Sequence, residues 1–247
     1  MEEPFGNTLG SRSVRPRSRP VVLGVSGLAG AGCTTMAAAL RERFGVETTI
    51  GDASVPPDLL IRVIGAQLRS RDRALIDAAA TPVLVVAGKA DTRTDARRLA
   101  AEAAAELGRP VYPVSGLLAA VRLDADDVEL LRRWEQAGVR VPRAAAEFAG
   151  DDPTERDRAR MMGRLGRCGL LAAFADLGER PAATAADLTG MLRARSGIDA
   201  LADPIAGAAG QIAEGRRVRR LFELRLRAAR GPDRAAMEQR LLAESLS

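Results

Sequence analysis

Residues 21–35, VVLGVSGLAGAGCTT, decide the fold of this chain, because they combine three local signals in one short stretch. The stretch opens with the apolar residues 21–25, which favour a buried strand. A glycine-rich turn follows over residues 27–32, and helix-forming residues 36–43 come directly after it. The sequence here therefore predicts a strand, a tight loop and a helix, in that order.

The glycine turn has the spacing of a phosphate-binding loop. That pattern, G-x-x-x-x-G-K-[ST], cradles phosphates with backbone N–H groups at a helix N-terminus. Thr34 stands at the hydroxyl position that binds Mg²⁺, but Cys33 replaces the lysine, so we expect nucleotide affinity about tenfold to a hundredfold lower. The alternative is a turn that binds nothing. The candidate phosphate-binding residues are Gly27, Gly30, Gly32, Cys33, Thr34 and Thr35.

Cys33 allows a second kind of chemistry. A thiol at a helix N-terminus can have a lowered pKa and react with oxidants. The alternative is a small residue tolerated in a loop that has lost its lysine.

The composition excludes several classes of protein. With 247 residues, 47% of them hydrophobic, the chain can bury the core of one large or two small domains. It has no histidine and two cysteines, which excludes a disulfide framework, a standard zinc site and histidine-based catalysis. No apolar run approaches the ~18 residues of a membrane span, and the N-terminus does not read as a signal peptide. We therefore expect a cytoplasmic protein.

Strands alternate with helices in the first half of the chain. This alternation predicts an α/β fold with a doubly wound, mainly parallel sheet over residues 20–138. Ligands of such sheets bind at the carboxyl ends of the strands, here the loops 27–34, 51–57, 88–91 and 115–117. The predicted strands are residues 21–25, 46–50, 59–64, 82–87 and 110–114, and the predicted helices are residues 36–43, 69–80, 92–107 and 124–137.

Strand signals stop near residue 139, so residues 139–247 are predicted to form an all-α helical region. Breaks are expected at Gly166, Pro181, Ser196-Gly197 and Gly231-Pro232. The predicted helices are residues 153–164, 168–177, 183–194, 199–229 and 233–245. At the other end, residues 1–19 are polar, carry four arginines and lack periodicity, which predicts a disordered basic arm.

Two further motifs follow the fourth and fifth predicted strands: Gly88-Lys89-Ala90-Asp91 and Ser115-Gly116. Together with the glycine loop, and in this order, they resemble P-loop GTPases of the translation-factor class, which end these strands with N/T-K-x-D and S-A/G. The helical second half is similar to that of short bacterial dynamin-like GTPases. The resemblance implies a reduced G-domain that binds GTP or GDP with Mg²⁺.

The K-x-D pair has a clear use in guanine recognition. Asp91 can accept hydrogen bonds from guanine N1–H and N2–H₂, a donor pair that adenine lacks. The stem of Lys89, the only lysine of the chain, can pack over the base, and Ser115 and the Gly116 N–H can steady the site. The alternative is a surface lysine in a loop before a helix, with Asp91 as the N-cap of that helix.

The chain departs from this family in three places. Cys33 replaces the lysine, Gly88 replaces the usual Asn or Thr, and the 56 positions from Cys33 to Lys89 hold no D-x-x-G. Asp52, after the second predicted strand, is a candidate remnant metal ligand beside Thr34. Without switch segments we expect weak or lost hydrolysis. The alternatives are a pseudo-GTPase that binds no nucleotide and serves as a scaffold or partner of an intact GTPase, and an ATP-dependent P-loop protein.

The segment 215–230 is basic and amphipathic. It carries seven arginines and one glutamate beside a broad apolar stripe. Such a helix either packs in a bundle with a solvated arginine face or lies on an anionic membrane, here the inner face. The helical region could also bind a protein partner or form a homo-oligomer. Only 3% of the residues are aromatic, which argues against a base-stacking platform for nucleic acid.

Overall fold

The computed structural model describes residues 20–51, 56–65, 67–144, 147–148, 153–230 and 234–245. The predicted arm 1–19, Asp52 and the break at Gly231-Pro232 lie outside these ranges. The strands are β1 Val22–Gly27, β2 Glu47–Ile50, β3 Leu59–Ile64, β4 Val83–Gly88 and β5 Val111–Val114. The helices between and after them are α1 Cys33–Phe44, α2 Ser70–Asp77, α3 Ala96–Leu107, α4 Gly116–Ala119 and α5 Ala125–Gln136. All five predicted strands are confirmed to within two residues.

The five strands form one parallel sheet in the order β2-β1-β3-β4-β5. Helix α1 packs on one face of the sheet, and α2 and α3 pack on the other. The predicted doubly wound layout is therefore confirmed. Strand order reverses between β1 and β3, and in such sheets ligands bind in the crevice at that reversal.

The second half is helical, as predicted, but its divisions differ. The helices are α6 Pro153–Glu179, α7 Ala185–Ser196, α8 Ala202–Gly207, α9 Ala209–Arg230 and α10 Arg234–Ser245. The predicted break at Gly166 is confirmed, because Gly166 is non-helical, with φ 64° and ψ 174°, and divides α6 into two helical parts at a kink. The predicted helix 199–229 is instead a 3₁₀ turn, Ile198–Leu201, followed by α8 and α9.

The helical region shares a core with the sheet. Ile198 and Leu201 of the 3₁₀ turn, and Ile212 of α9, pack in one buried cluster with α1 and the sheet face that α1 covers. A second cluster joins α4 and α5 to α6 and α7 around Leu131 and Leu165. The predicted boundary near residue 138 therefore does not separate two independent cores.

Asp58 ties α9 to the sheet. This buried carboxylate accepts the Val22 N–H at 3.0 Å and pairs with Arg216 and Arg219 at 2.6 and 2.9 Å. Burial raises the pKa of Asp58, but the hydrogen bonds from Arg216 and Val22, with the charges of both arginines, outweigh burial and leave the pKa below its usual value. Part of the predicted basic surface thus serves an internal contact.

The rest of α9 presents an apolar stripe. Val218 and Phe222, one turn apart, are 56% and 62% exposed, and Leu226 continues the line. Within the described residues, no helix is both long enough and apolar enough to cross a membrane.

Candidate functional site

The glycine loop joins β1 to α1 in the predicted geometry. Gly30 and Gly32 have φ of 79° and 91°, a left-handed conformation that favours glycine. Gly32 caps α1, which has no side-chain cap and no acidic residue in its first turn. The first N–H groups of a helix lack intrahelical partners, so those of α1 are free to face an anion.

The six predicted phosphate-binding residues line one cavity, the phosphate cavity, of about 580 Å³. Ile50 and Gly51, at the end of β2, form its opposite wall. Thr34 is exposed there, as an ion-binding hydroxyl requires. No group of three or more Cys, Asp or Glu side chains that could hold a metal lies in the described part of the chain. A Mg²⁺ ion would therefore take most of its ligands from phosphates and water, as this ion commonly does.

Cys33 does not have the reactive environment that the sequence allows for. A Cβ placed on Gly27 would lie 2.6 Å from the Val63 carbonyl oxygen and 2.9 Å from the Cys33 sulfur, so the thiol is tucked against the loop. Burial raises the pKa of Cys33, and the opposing charge of Arg62 is too weak to reverse it. Cys33 therefore contributes a neutral thiol, which favours the alternative of a small residue tolerated in the loop over a reactive thiol.

The K-x-D loop lies beside the glycine loop and forms a second cavity, the base cavity, of about 290 Å³. Lys89, Asp91 and Gly116 line it, as predicted, together with Leu117, which sequence reasoning missed. Asp91 is half-buried, and its carboxylate accepts no hydrogen bond from the described residues. An unpaired, half-buried acceptor is what a base with two adjacent donors requires.

Ser115 lies beneath the base cavity, outside its lining. It is 1% exposed, its hydroxyl accepts the Leu118 N–H at 3.2 Å, and its own N–H donates to the Ser196 carbonyl at 2.8 Å. Gly116 approaches α1 so closely that a Cβ there would lie 3.2 Å from the Met36 nitrogen. Ser115 therefore positions the turn that places Gly116 at the cavity.

Gly88 brings the two loops into direct contact. A Cβ at Gly88 would lie 2.8 Å from Val63 and 3.0 Å from the Ala31 carbonyl oxygen, so there is no room for the Asn or Thr side chain of the family. Next to it, Lys89 has φ 57°, the only positive φ of a described non-glycine residue. The Thr92 N–H and hydroxyl both donate to the Lys89 carbonyl, at 3.0 and 2.8 Å, and fix this conformation.

Lys89 consequently borders both cavities. Its Cε lies 4.0 Å from the Cβ position of Gly32, and it is the only charged side chain in the described lining of the phosphate cavity. No described residue pairs with its ammonium group. A strained backbone conformation at a residue that lines a cavity points to a functional role.

The kink of α6 lies next to two residues that line the base cavity, Leu117 and Asp91. A Cβ at Gly166 would lie 3.2 Å from Leu117 Cδ2 and 3.7 Å from Asp91 Oδ2. The φ and ψ of Gly166 fall in a region open almost only to glycine. The helical region thus takes part in shaping the candidate base site.

No protein-family model matches this chain, and no curated protein matches it significantly.

Proposed function

We propose that this protein is a GTPase-like protein that binds a guanine nucleotide, GTP or GDP with Mg²⁺, and hydrolyses it weakly or not at all. One observation carries the proposal. Two motifs far apart in the sequence form adjoining cavities that share Ala31, Gly32, Thr35 and Lys89. The larger cavity has the N–H groups expected for phosphates, and the smaller one has the carboxylate expected for guanine.

Asp91 supplies base selectivity in this proposal. Its free carboxylate matches the N1–H and N2–H₂ donors of guanine, whereas adenine would leave it unpaired in a half-buried site. Leu117 and the Lys89 stem provide apolar walls for the base. The Gly116 N–H borders the same space and can donate to the guanine carbonyl.

The phosphate cavity favours binding over hydrolysis. Lys89 would supply the positive charge that Cys33 does not, in addition to the helix N-terminus. The described lining contains no carboxylate, amide or second cation that could orient an attacking water or stabilise the transition state.

Calorimetric titration with GDP, GTP and ATP, with and without Mg²⁺, tests the proposal. We expect binding of GDP and GTP but not ATP, and a loss of roughly a hundredfold in Asp91→Ala, because two charge-assisted hydrogen bonds disappear. Asp95→Ala is the matched control, since Asp95 pairs with the exposed Arg98 outside the cavity. Equal binding of ATP and GDP would favour the ATP-dependent alternative.

A pseudo-GTPase scaffold is the second candidate, favoured by the neutral thiol at position 33. It predicts no heat and no thermal shift with any nucleotide at about 1 mM, a concentration that detects even weak sites. It also predicts a stable complex with an intact GTPase, formed through the helical region and unaffected by Asp91→Ala. Homo-oligomerisation through the same helices would show as a larger mass in light scattering.

A further inference from the structure

A third cavity lies where the strand order reverses. It has a volume of about 230 Å³ and opens between the glycine loop and the loop from β3 to α2; we call it the switch-point cavity. Its walls include Leu28–Ala31 on one side, Gly65 and Gln67 on another, and Gly88 at its base. The phosphate cavity lies on the other side of β1, beside β2, so the two cavities share only the glycine loop and Lys89.

Three cationic side chains line this cavity, and none has a partner among the described residues. Arg69, Lys89 and Arg93 border it, and no described residue makes a hydrogen bond or ion pair with the charged group of any of the three. Like charges around one small space repel one another and cost stability unless an anion joins them.

The one carboxylate in the lining does not neutralise them. Asp72 is 1% exposed and is already paired with the buried Arg62, whose Nη2 donates to Asp72 Oδ1 at 2.7 Å. The Arg62 Nε has no partner among the described residues, but the single charge of Arg62 is already balanced by Asp72. Among the described lining residues, Arg69, Lys89 and Arg93 are therefore the charges without a counter-charge.

We propose that the switch-point cavity is a second oxyanion site, which takes a group of the size and charge of a diphosphate. Pockets for drug-sized ligands begin at about 300 Å³, so this cavity suits a small anion better than a whole nucleotide. Two guanidinium groups match the oxygens of a phosphate chain by paired donors, and Lys89 adds a point charge. The ligand is either free diphosphate or the diphosphate part of a larger molecule.

Calorimetric titration with inorganic pyrophosphate tests the site. We expect pyrophosphate to bind, and Arg69→Gln and Arg93→Gln each to weaken it about tenfold, since each removes one charge-assisted contact. Arg71→Gln and Arg97→Gln are matched controls, exposed arginines near the two site residues that lie outside the lining, and neither should change the affinity. All four arginines are exposed, so unchanged thermal unfolding will show that the variants fold.

A second arm repeats the titration with saturating GDP. Pyrophosphate binding that persists with GDP supports a separate site for a free oxyanion, whereas binding that disappears places pyrophosphate in the phosphate cavity and overturns the inference. Equal affinity in all four arginine variants overturns it as well. If GDP does not bind but pyrophosphate binding depends on Arg69 and Arg93, the proposed function fails while this inference stands.

Discussion

Asp72→Asn tests the buried ion pair beneath the glycine loop. Arg62 and Asp72 have side chains only 5% and 2% exposed, and the asparagine would leave the Arg62 charge buried without a counter-charge. The only other hydrogen bond of the Arg62 side chain among the described residues is a long one, 3.4 Å, to the Ser26 hydroxyl. Removing one partner of a buried pair costs about 3–5 kcal/mol. Because whole domains are stable by about 5–15 kcal/mol, this loss is a large fraction of the total.

Urea unfolding and thermal unfolding, both followed by circular dichroism, measure this loss. We expect the free energy of unfolding in urea to fall by about 3–5 kcal/mol, and the midpoint temperature of thermal unfolding to fall by roughly 10 °C. Glu106→Gln is the matched control, because Glu106 pairs with Arg73 of the same helix α2 at 2.6 Å but with both side chains well exposed. An exposed pair contributes less than about 1 kcal/mol.

The double variant Arg62→Met, Asp72→Leu separates charge burial from packing. Replacing both partners by apolar residues removes the desolvation cost, so this variant should regain most of the stability lost in Asp72→Asn. Equal losses in Asp72→Asn and Glu106→Gln would contradict a special cost of the buried charge, as would a double variant less stable than the single one.

Four further predictions concern the site and α9. Lys89→Met, which keeps the apolar stem, should weaken GDP binding about tenfold and leave guanosine binding unchanged, since only the charge is lost; equal losses for both ligands in calorimetry would contradict this. Gly166→Ala should lower GDP affinity, because alanine strains the positive-φ backbone at this position and its methyl group would lie against Leu117 and Asp91. Gly163→Ala, with open space around it, should leave the affinity unchanged. Equal affinities of the two variants would show that the kink does not shape the site. The pKa of Asp58 is lowered by folding, so its contribution to stability is full above about pH 4 and is lost as the pH falls further. In Asp58→Asn the midpoint temperature of thermal unfolding should therefore fall less steeply between pH 4 and lower pH than in the unaltered protein. An equally steep fall in both proteins would count against the pairing. Phe222→Ser should reduce co-sedimentation with anionic vesicles if α9 lies on a membrane, and sedimentation equal to that of the unaltered protein would exclude this contact.

The fold was largely predictable because its signals are local. Buried parallel strands such as β3 and β4 are nearly continuous apolar runs, and glycines mark the turns after β1 and β4. Parallel strands place their carboxyl ends at one edge, so the meeting of Gly32 and Lys89 follows from the fold class. The contacts of α9 with the sheet were not predictable, because Asp58 and Arg216 are 158 positions apart and no pattern links them.

The switch-point cavity was missed although its signal was present. The loop that follows β3 begins with Gly65, as the loops after the other strands include a glycine, but it carries no known ligand-binding motif. Arg62 was a second signal, since an arginine inside the apolar run LLIRVI needs a buried partner. That partner is Asp72, ten residues further on. The burial of the Cys33 thiol could not be predicted from the sequence, because it depends on the contact with Gly27 across the loop.

Two departures from the GTPase pattern prove to be connected in space. An Asn or Thr at position 88 would clash with Val63 and with the Ala31 carbonyl. Gly88, which has no side chain, therefore lets the K-x-D loop approach the glycine loop more closely than Asn or Thr would allow. That approach places the Lys89 stem against Gly32, at the cavity where Cys33 provides no charge. The loss of a side chain at one motif thus brings a cation to the other. Lys89, the single lysine of the chain, thus lies in a positive-φ conformation at the junction of three cavities, a position that supports the proposed anion binding.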